Sequence, residues 1–163
     1  MDEAAEEENI SVEIPLSAYI PPNYIPIADE KIRVYQELAG SETPEALSET
    51  MKDLREDYGE LPKEVENLCK VIRLKMLLRE ANLAGLKLQK VSHKTHELLL
   101  RFGKSFMPES LFHLLQKSKQ KWVVGTTSMK LQVDHLSINW YEVLVEEISF
   151  LVEGAKQKKG KKA

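Results

Sequence analysis

Apolar and polar positions change period more than once along this chain. Ile10, Val12, Ile14 and Leu16 alternate with other residues and predict a strand over 10–16. Pro15 inside that run predicts an edge position or the strand's end. The stretch SAYIPPNYIPIADEK follows, and its three prolines bar a helix. It reads as an extended arm whose Tyr19, Ile20, Tyr24 and Ile25 must bury against the domain. Asp29 is placed to cap a helix over 30–39, with Ile32, Tyr35 and Ala39 inward, Leu38 beside them and Gly40 after it. Thr43-Pro44 is a cap followed by a first-turn proline. It opens a second helix with Leu47, Met51, Leu54 and Tyr58 at helical spacing. A long central helix is predicted over 62–84, stopped near Gly85. Val65, Leu68, Cys69, Ile72 and Met76 share one face of it, and Leu74, Leu77, Leu78 and Ala81 add other sides.

The period then becomes two. Leu86, Leu88 and Val91 suggest a strand, SHKTH (92–96) a turn, and Leu98, Leu100 and Phe102 a second strand of a hairpin. Pro108 opens a short helix carrying Leu111, Phe112, Leu114 and Leu115. KWVV (121–124) reads as a strand, with a turn at Gly125. Met129, Leu131 and Val133 alternate with Lys130, Gln132 and Asp134 in a half-exposed strand. Asn139 and Glu142 have capping-box spacing. They start a last helix with Trp140, Val143, Leu144, Ile148 and Leu151 inward and Gly154 after it. The order is strand, three helices, two strands, helix, two strands, helix. It predicts an α+β fold with a small, mostly antiparallel sheet packed on several helices.

Composition adds little to that picture. A chain of 163 residues with 42% hydrophobic and 30% charged positions has the usual make-up of one globular domain. A net charge of -3 gives no reason to expect general nucleic-acid binding. The ends differ sharply, however. Residues 1–9 are an acidic run and 155–163 a lysine run, and both read as disordered tails around a domain at 10–154. The lysine tail offers a weak, salt-sensitive contact to phosphate backbone, the alternative nucleic-acid-binding reading. Cys69, the single cysteine, falls on an apolar helix face and reads as a packing residue in a reducing compartment. The acidic start is not a signal peptide, and no apolar run has membrane-spanning length. The expected location is the cytoplasm.

Chemistry is hard to find. Gly103-Lys104-Ser105 ends like a phosphate-binding loop, but the glycine required five positions earlier is Leu98. His93 and His96 lack further ligands nearby, and His113 and His135 are scattered, so no metal site is expected. No serine occupies a nucleophile elbow. No catalytic residue and no cofactor is assigned.

What remains is DLREDYGELP, residues 53–62. Asp53 and Glu56 lie three apart at the end of one predicted helix. Tyr58 precedes Gly59, the expected helix stop, and Pro62 opens the next helix. Carboxylates at a helix C-terminus meet the negative end of its dipole, a local penalty that an external cation would relieve. The corner is either a docking face or a solvated helix end.

Three stretches carry a resemblance to the C-terminal domain of the bacterial transcription-repair coupling factor, Mfd. They are residues 12–38 (VEIPLSAYIPPNYIPIADEKIRVYQEL), the corner at 53–62, and residues 63–86 (KEVENLCKVIRLKMLLREANLAGL). The later strands and last helix fit in order, with little distinctive sequence. Asp57 stands where the family usually has an arginine, and Glu56 where it usually has aspartate. The resemblance implies a non-enzymatic regulatory domain of an ATP-driven DNA translocase acting in transcription-coupled nucleotide excision repair. Such a domain packs on the parent's own UvrB-like domain and masks its UvrA-binding surface. UvrA and RNA polymerase are then met only through the parent. The family's acid positions map to Asp53 and Glu56, with Asp57 and Tyr58 completing the expected partner-binding set.

Overall fold

The computed structural model describes residues 9–133 and 140–162, with side chains as far as 156. Two compact units are present, one of residues 16–76 and one joining the segment before it to residue 77 onward. The elements follow the expected order: β1 (Ser11–Glu13), α1 (Ala28–Ala39), α2 (Pro44–Tyr58), α3 (Lys63–Glu80), β2 (Leu83–Lys90), β3 (His96–Phe102), α4 (Glu109–Lys117), β4 (Val123–Val124), β5 (Ser128–Val133) and α5 (Trp140–Lys162).

The helical unit is built around the first part of α3. The proline-rich arm lies against that helix but is not extended throughout. It turns tightly at 21–25, where Tyr24 and Ile25 both donate their N–H groups to Pro21 O, at 3.0 and 3.3 Å. Tyr19 donates its backbone N–H to Glu64 O at 3.2 Å, and Asn67 Nδ2 donates to Ser17 O at 2.9 Å. Ile20 and Ile25 of the arm are buried with Val34, Leu38, Leu47, Leu54, Leu61, Val65, Cys69 and Met76 in one core. Tyr24 is half-buried and Tyr19 exposed. Thr43 Oγ1 accepts from Ala46 N–H at 3.1 Å, so the predicted cap and first-turn proline of α2 are in place.

Two details of the helices differ from the expectation. α1 starts at Ala28, so Asp29 lies in its first turn and Ile27 holds the cap position without a side-chain bond. Pro26 fixes its own φ and restricts Ile25, which leaves the helix free to start two residues after that proline. Val34 and Leu38 are its buried residues, while Ile32 is 55% exposed and Ala39 is also exposed. The hydroxyl of Tyr35 accepts from Ile20 N–H at 2.7 Å and fixes the roll of the helix. α3 ends at Glu80, not at 84. Its stop is Asn82 with φ 59, a left-handed conformation that asparagine tolerates, and Leu83 to Gly85 already belong to β2.

The second unit holds the sheet, in strand order β1-β2-β3-β5-β4. β1 is a parallel edge strand against β2, and the other three pairings are antiparallel. Leu86, Leu88, Leu98, Leu100, Met129 and Leu131 form its buried face, and Lys87, Glu97, Arg101 and Lys130 alternate with them. Leu144, Ile148, Leu151 and Val152 of α5 are buried in the same unit. Gly154 does not end α5, which continues to Lys162. A Cβ at Gly154 would stand 2.8 Å from Ser110 Cα, so this glycine lets α5 approach α4. In α4, Ser110, His113 and Leu114 are buried, whereas Phe112 is 68% exposed and Leu115 is exposed. Asn139, the predicted cap of α5, lies outside the described residues.

Candidate functional site

α2 carries its apolar residues on one side and most of its carboxylates on the other. Leu47, Met51, Leu54 and Tyr58 recur at helical spacing and turn toward the core of the helical unit. On the opposite side, Glu45, Glu49, Asp53 and Asp57 recur every fourth residue, with Glu56 beside them. At about 100° per residue these five carboxylates occupy an arc of about 120°. All five residues are exposed. The corner predicted at Asp53, Glu56 and Asp57 is therefore the end of a longer stripe. Glu45 and Glu49 were legible in the same four-residue spacing but lie before the decapeptide that draws attention.

The stripe is locally unfavourable. Like charges four apart on a helix cost about 0.2–0.5 kcal/mol per pair, so the three successive pairs cost about 1 kcal/mol together. Lys52, three residues after Glu49 and four before Glu56, offsets a part of that cost. Glu56 and Asp57 also stand in the last turn, where the backbone carbonyls are already negative and Arg55 is the basic residue present. Among the described residues none of the five makes an ion pair. A cationic surface laid along α2 would offset this cost.

Firm local packing holds the end of the stripe in place. Gly59 has φ 92 and ψ -168, a conformation essentially reserved for glycine, and its N–H donates to Arg55 O at 3.0 Å. The Tyr24 hydroxyl is shared between Gly59 O at 2.8 Å and Leu54 O at 3.2 Å, so the arm is tied to the end of α2. Tyr58 packs its ring against Tyr24, with centroids 5.7 Å apart, and donates its hydroxyl to Glu30 Oε2 at 2.9 Å. That bond to a carboxylate raises the Tyr58 pKa above the ordinary tyrosine range. Half-buried in this way, Tyr58 braces the corner, while Asp53, Glu56 and Asp57 present their charges outward.

The remaining candidates fall elsewhere. Gly103-Lys104-Ser105 forms the turn after β3, with Gly103 N–H donating to Asn82 O at 3.0 Å. His93 is exposed, while His96 is half-buried and opens β3. His113, unassigned in the sequence, is buried on α4 with Nε2 2.9 Å from Glu153 Oε2. No group of three His, Cys, Asp or Glu side chains among the described residues is arranged to hold a metal ion. Cys69 is buried, and burial pushes its thiol up to about 11. Among the described residues no helix is long and apolar enough to cross a membrane.

Comparison with known proteins supplies the context for this geometry. The TRCF domain family model matches residues 14–105, more than half of the chain. A transcription-repair-coupling factor of Borreliella burgdorferi is 25% identical over 127 residues, which cover 78% of this chain and 11% of that protein. One of Staphylococcus epidermidis is 29% identical over 134 residues, covering 81% of this chain and 11% of the relative. The chain thus spans about a tenth of the length of these relatives. In three dimensions it is similar to a crystal structure of the C-terminal domain of transcription-repair coupling factor. The TM-score is 0.72 at 21% identity, over 97% of this chain and 98% of the other.

Proposed function

Because this chain belongs to the TRCF domain family, we propose that it is a non-catalytic regulatory domain that docks through the acidic stripe of α2. Its partner is a basic surface on the UvrB-like domain of the same parent protein, and docking masks the surface that UvrA would use. The parent acts in the cytoplasm, in transcription-coupled nucleotide excision repair, and meets UvrA and RNA polymerase through its other parts. The observation that carries this reading is the run of four carboxylates at four-residue spacing, unpaired among the described residues and ending at a braced glycine corner.

The energetics suit a releasable clamp. An exposed ion pair contributes about 0.2–1 kcal/mol, so a handful of them gives weak binding between separate molecules. Tethering within one parent raises the effective concentration to roughly millimolar, enough for weak contacts to hold. Asp57, in place of the family's arginine, adds to the negative field at the corner and favours a more basic partner face.

Calorimetry of this chain against the parent's UvrB-like fragment tests the reading. Weak binding that fades with added salt is expected, and Asp53→Lys with Glu56→Lys should abolish it while circular dichroism stays unchanged. Unaltered binding by that folded double variant would show that another face docks. Retained DNA binding at low salt that disappears with residues 155–163 would instead favour the lysine-tail reading.

A further inference from the structure

The sheet unit contains a cavity of about 310 Å³, a size within the range of small-molecule sites. Leu88, Leu98 and Leu131 of the sheet and Val143 and Leu144 of α5 supply its apolar lining. Glu147, one turn further along α5, lines it as well. This carboxylate is only 4% exposed. Its two hydrogen bonds end on the same oxygen: Ser118 Oγ and Trp122 Nε1, the latter at 2.8 Å, both donate to Oε1. Oε2 has no hydrogen-bond partner among the described residues, and no Lys, Arg or His there pairs with it.

A mostly buried carboxylate with neutral donors on one oxygen relies on whatever fills the cavity to meet its open oxygen, Oε2. The serine and the indole would be served equally by the amide oxygen of a glutamine. They account for Oε1, and they leave the negative charge and Oε2 unexplained. A cation with an apolar body meets both features of the site, since its head would pair with Oε2 and its stem would replace water against the leucines. We infer that this cavity binds a small organic cation, an ammonium or guanidinium group on an apolar stem. A free alkylamine has that chemistry, and so does a lysine side chain of another protein. The inference is independent of the α2 stripe.

Titration of the isotope-labelled chain, followed by amide NMR, tests it with three probes at one pH and ionic strength. These are n-butylammonium, n-butanol and a doubly blocked lysine tripeptide. Butylammonium should move the signals of Leu131 and of 143–147 saturably, and butanol should bind at least about tenfold more weakly, as expected for loss of a charge-assisted bond. Glu147→Gln should bring butylammonium down to the butanol level. Val143→Phe, which fills the cavity and keeps the carboxylate, should remove binding of both. Tighter binding of the tripeptide than of butylammonium would assign the cation to a protein side chain, and weaker binding to a free amine. Equal affinity for butanol and butylammonium, or no saturable shift with either cation, overturns the inference. If Glu147→Gln does not fold, the contrast between probes in the unaltered chain still decides.

Discussion

Gly154→Ala should destabilise this protein, although the same change inside an ordinary helix does the reverse. In a helix interior alanine is better than glycine by about 1 kcal/mol. The packing of α5 against α4 changes the sign. The added Cβ would lie 2.8 Å from Ser110 Cα, 2.9 Å from Ser110 O and 3.0 Å from His113 Cβ. Two of these atoms are backbone, so no side-chain rotation relieves the clash and α4 must move as a body. That movement would stretch the 2.9 Å contact between His113 and Glu153 and disturb the edge-on packing of His113 with Phe150. Overpacking of a close contact costs about 1–3 kcal/mol, and backbone obstruction puts this site at the upper end. After the gain in helix propensity, the net loss is about 1–2 kcal/mol. Urea denaturation followed by tryptophan fluorescence is the appropriate assay, because Trp122 and Trp140 both belong to the sheet unit. The midpoint should fall with no change of slope. A variant as stable as the parent chain, or more stable, would refute the close approach of the two helices.

Tyr24→Phe should cost about 1 kcal/mol, the usual worth of a hydrogen bond, because one hydroxyl serves both Leu54 O and Gly59 O at the end of α2. Thermal or urea denaturation of that variant measures it, and no loss would mean that the arm does not brace the corner. Burial raises the Cys69 thiol from an ordinary 9.0 to about 11. The folded chain therefore keeps a proton that the unfolded chain releases, and stability should fall as pH rises from about 9 to about 11. Cys69→Ala should flatten that decline in a series of urea midpoints, and an unchanged slope would show that the thiol is not responsible.

Element order was legible because each period change coincides with a turn signal: the prolines at 21, 22 and 26, Thr43-Pro44, Gly59 and Pro108. Positions decided by tertiary contact were not. The roll of α1 depends on Tyr35 meeting the Ile20 amide fifteen residues away, so Ile32, the obvious apolar candidate, turns outward. The end of α3 depends on one asparagine taking a positive φ, while Gly85, the more conspicuous signal, pairs with Ser11 in the sheet. Gly154 looks like a terminator in one dimension and is a contact point in three. At the candidate site the outward charge of Asp53, Glu56 and Asp57 followed from helical spacing alone. The bracing role of Tyr58 did not, because its partners Tyr24 and Glu30 lie in segments far away in sequence. Glu147 escaped notice for the same reason, since its burial depends on donors from the segment that follows α4.

The central proposal is that the α2 stripe holds the parent protein in a masked state. Capture of UvrA by the intact parent, with and without Asp53→Lys and Glu56→Lys, tests it most directly. The double reversal should increase UvrA capture at moderate salt, toward the level reached when the domain is deleted. Equal capture by the two intact proteins, with deletion alone increasing it, would contradict the assignment of the stripe.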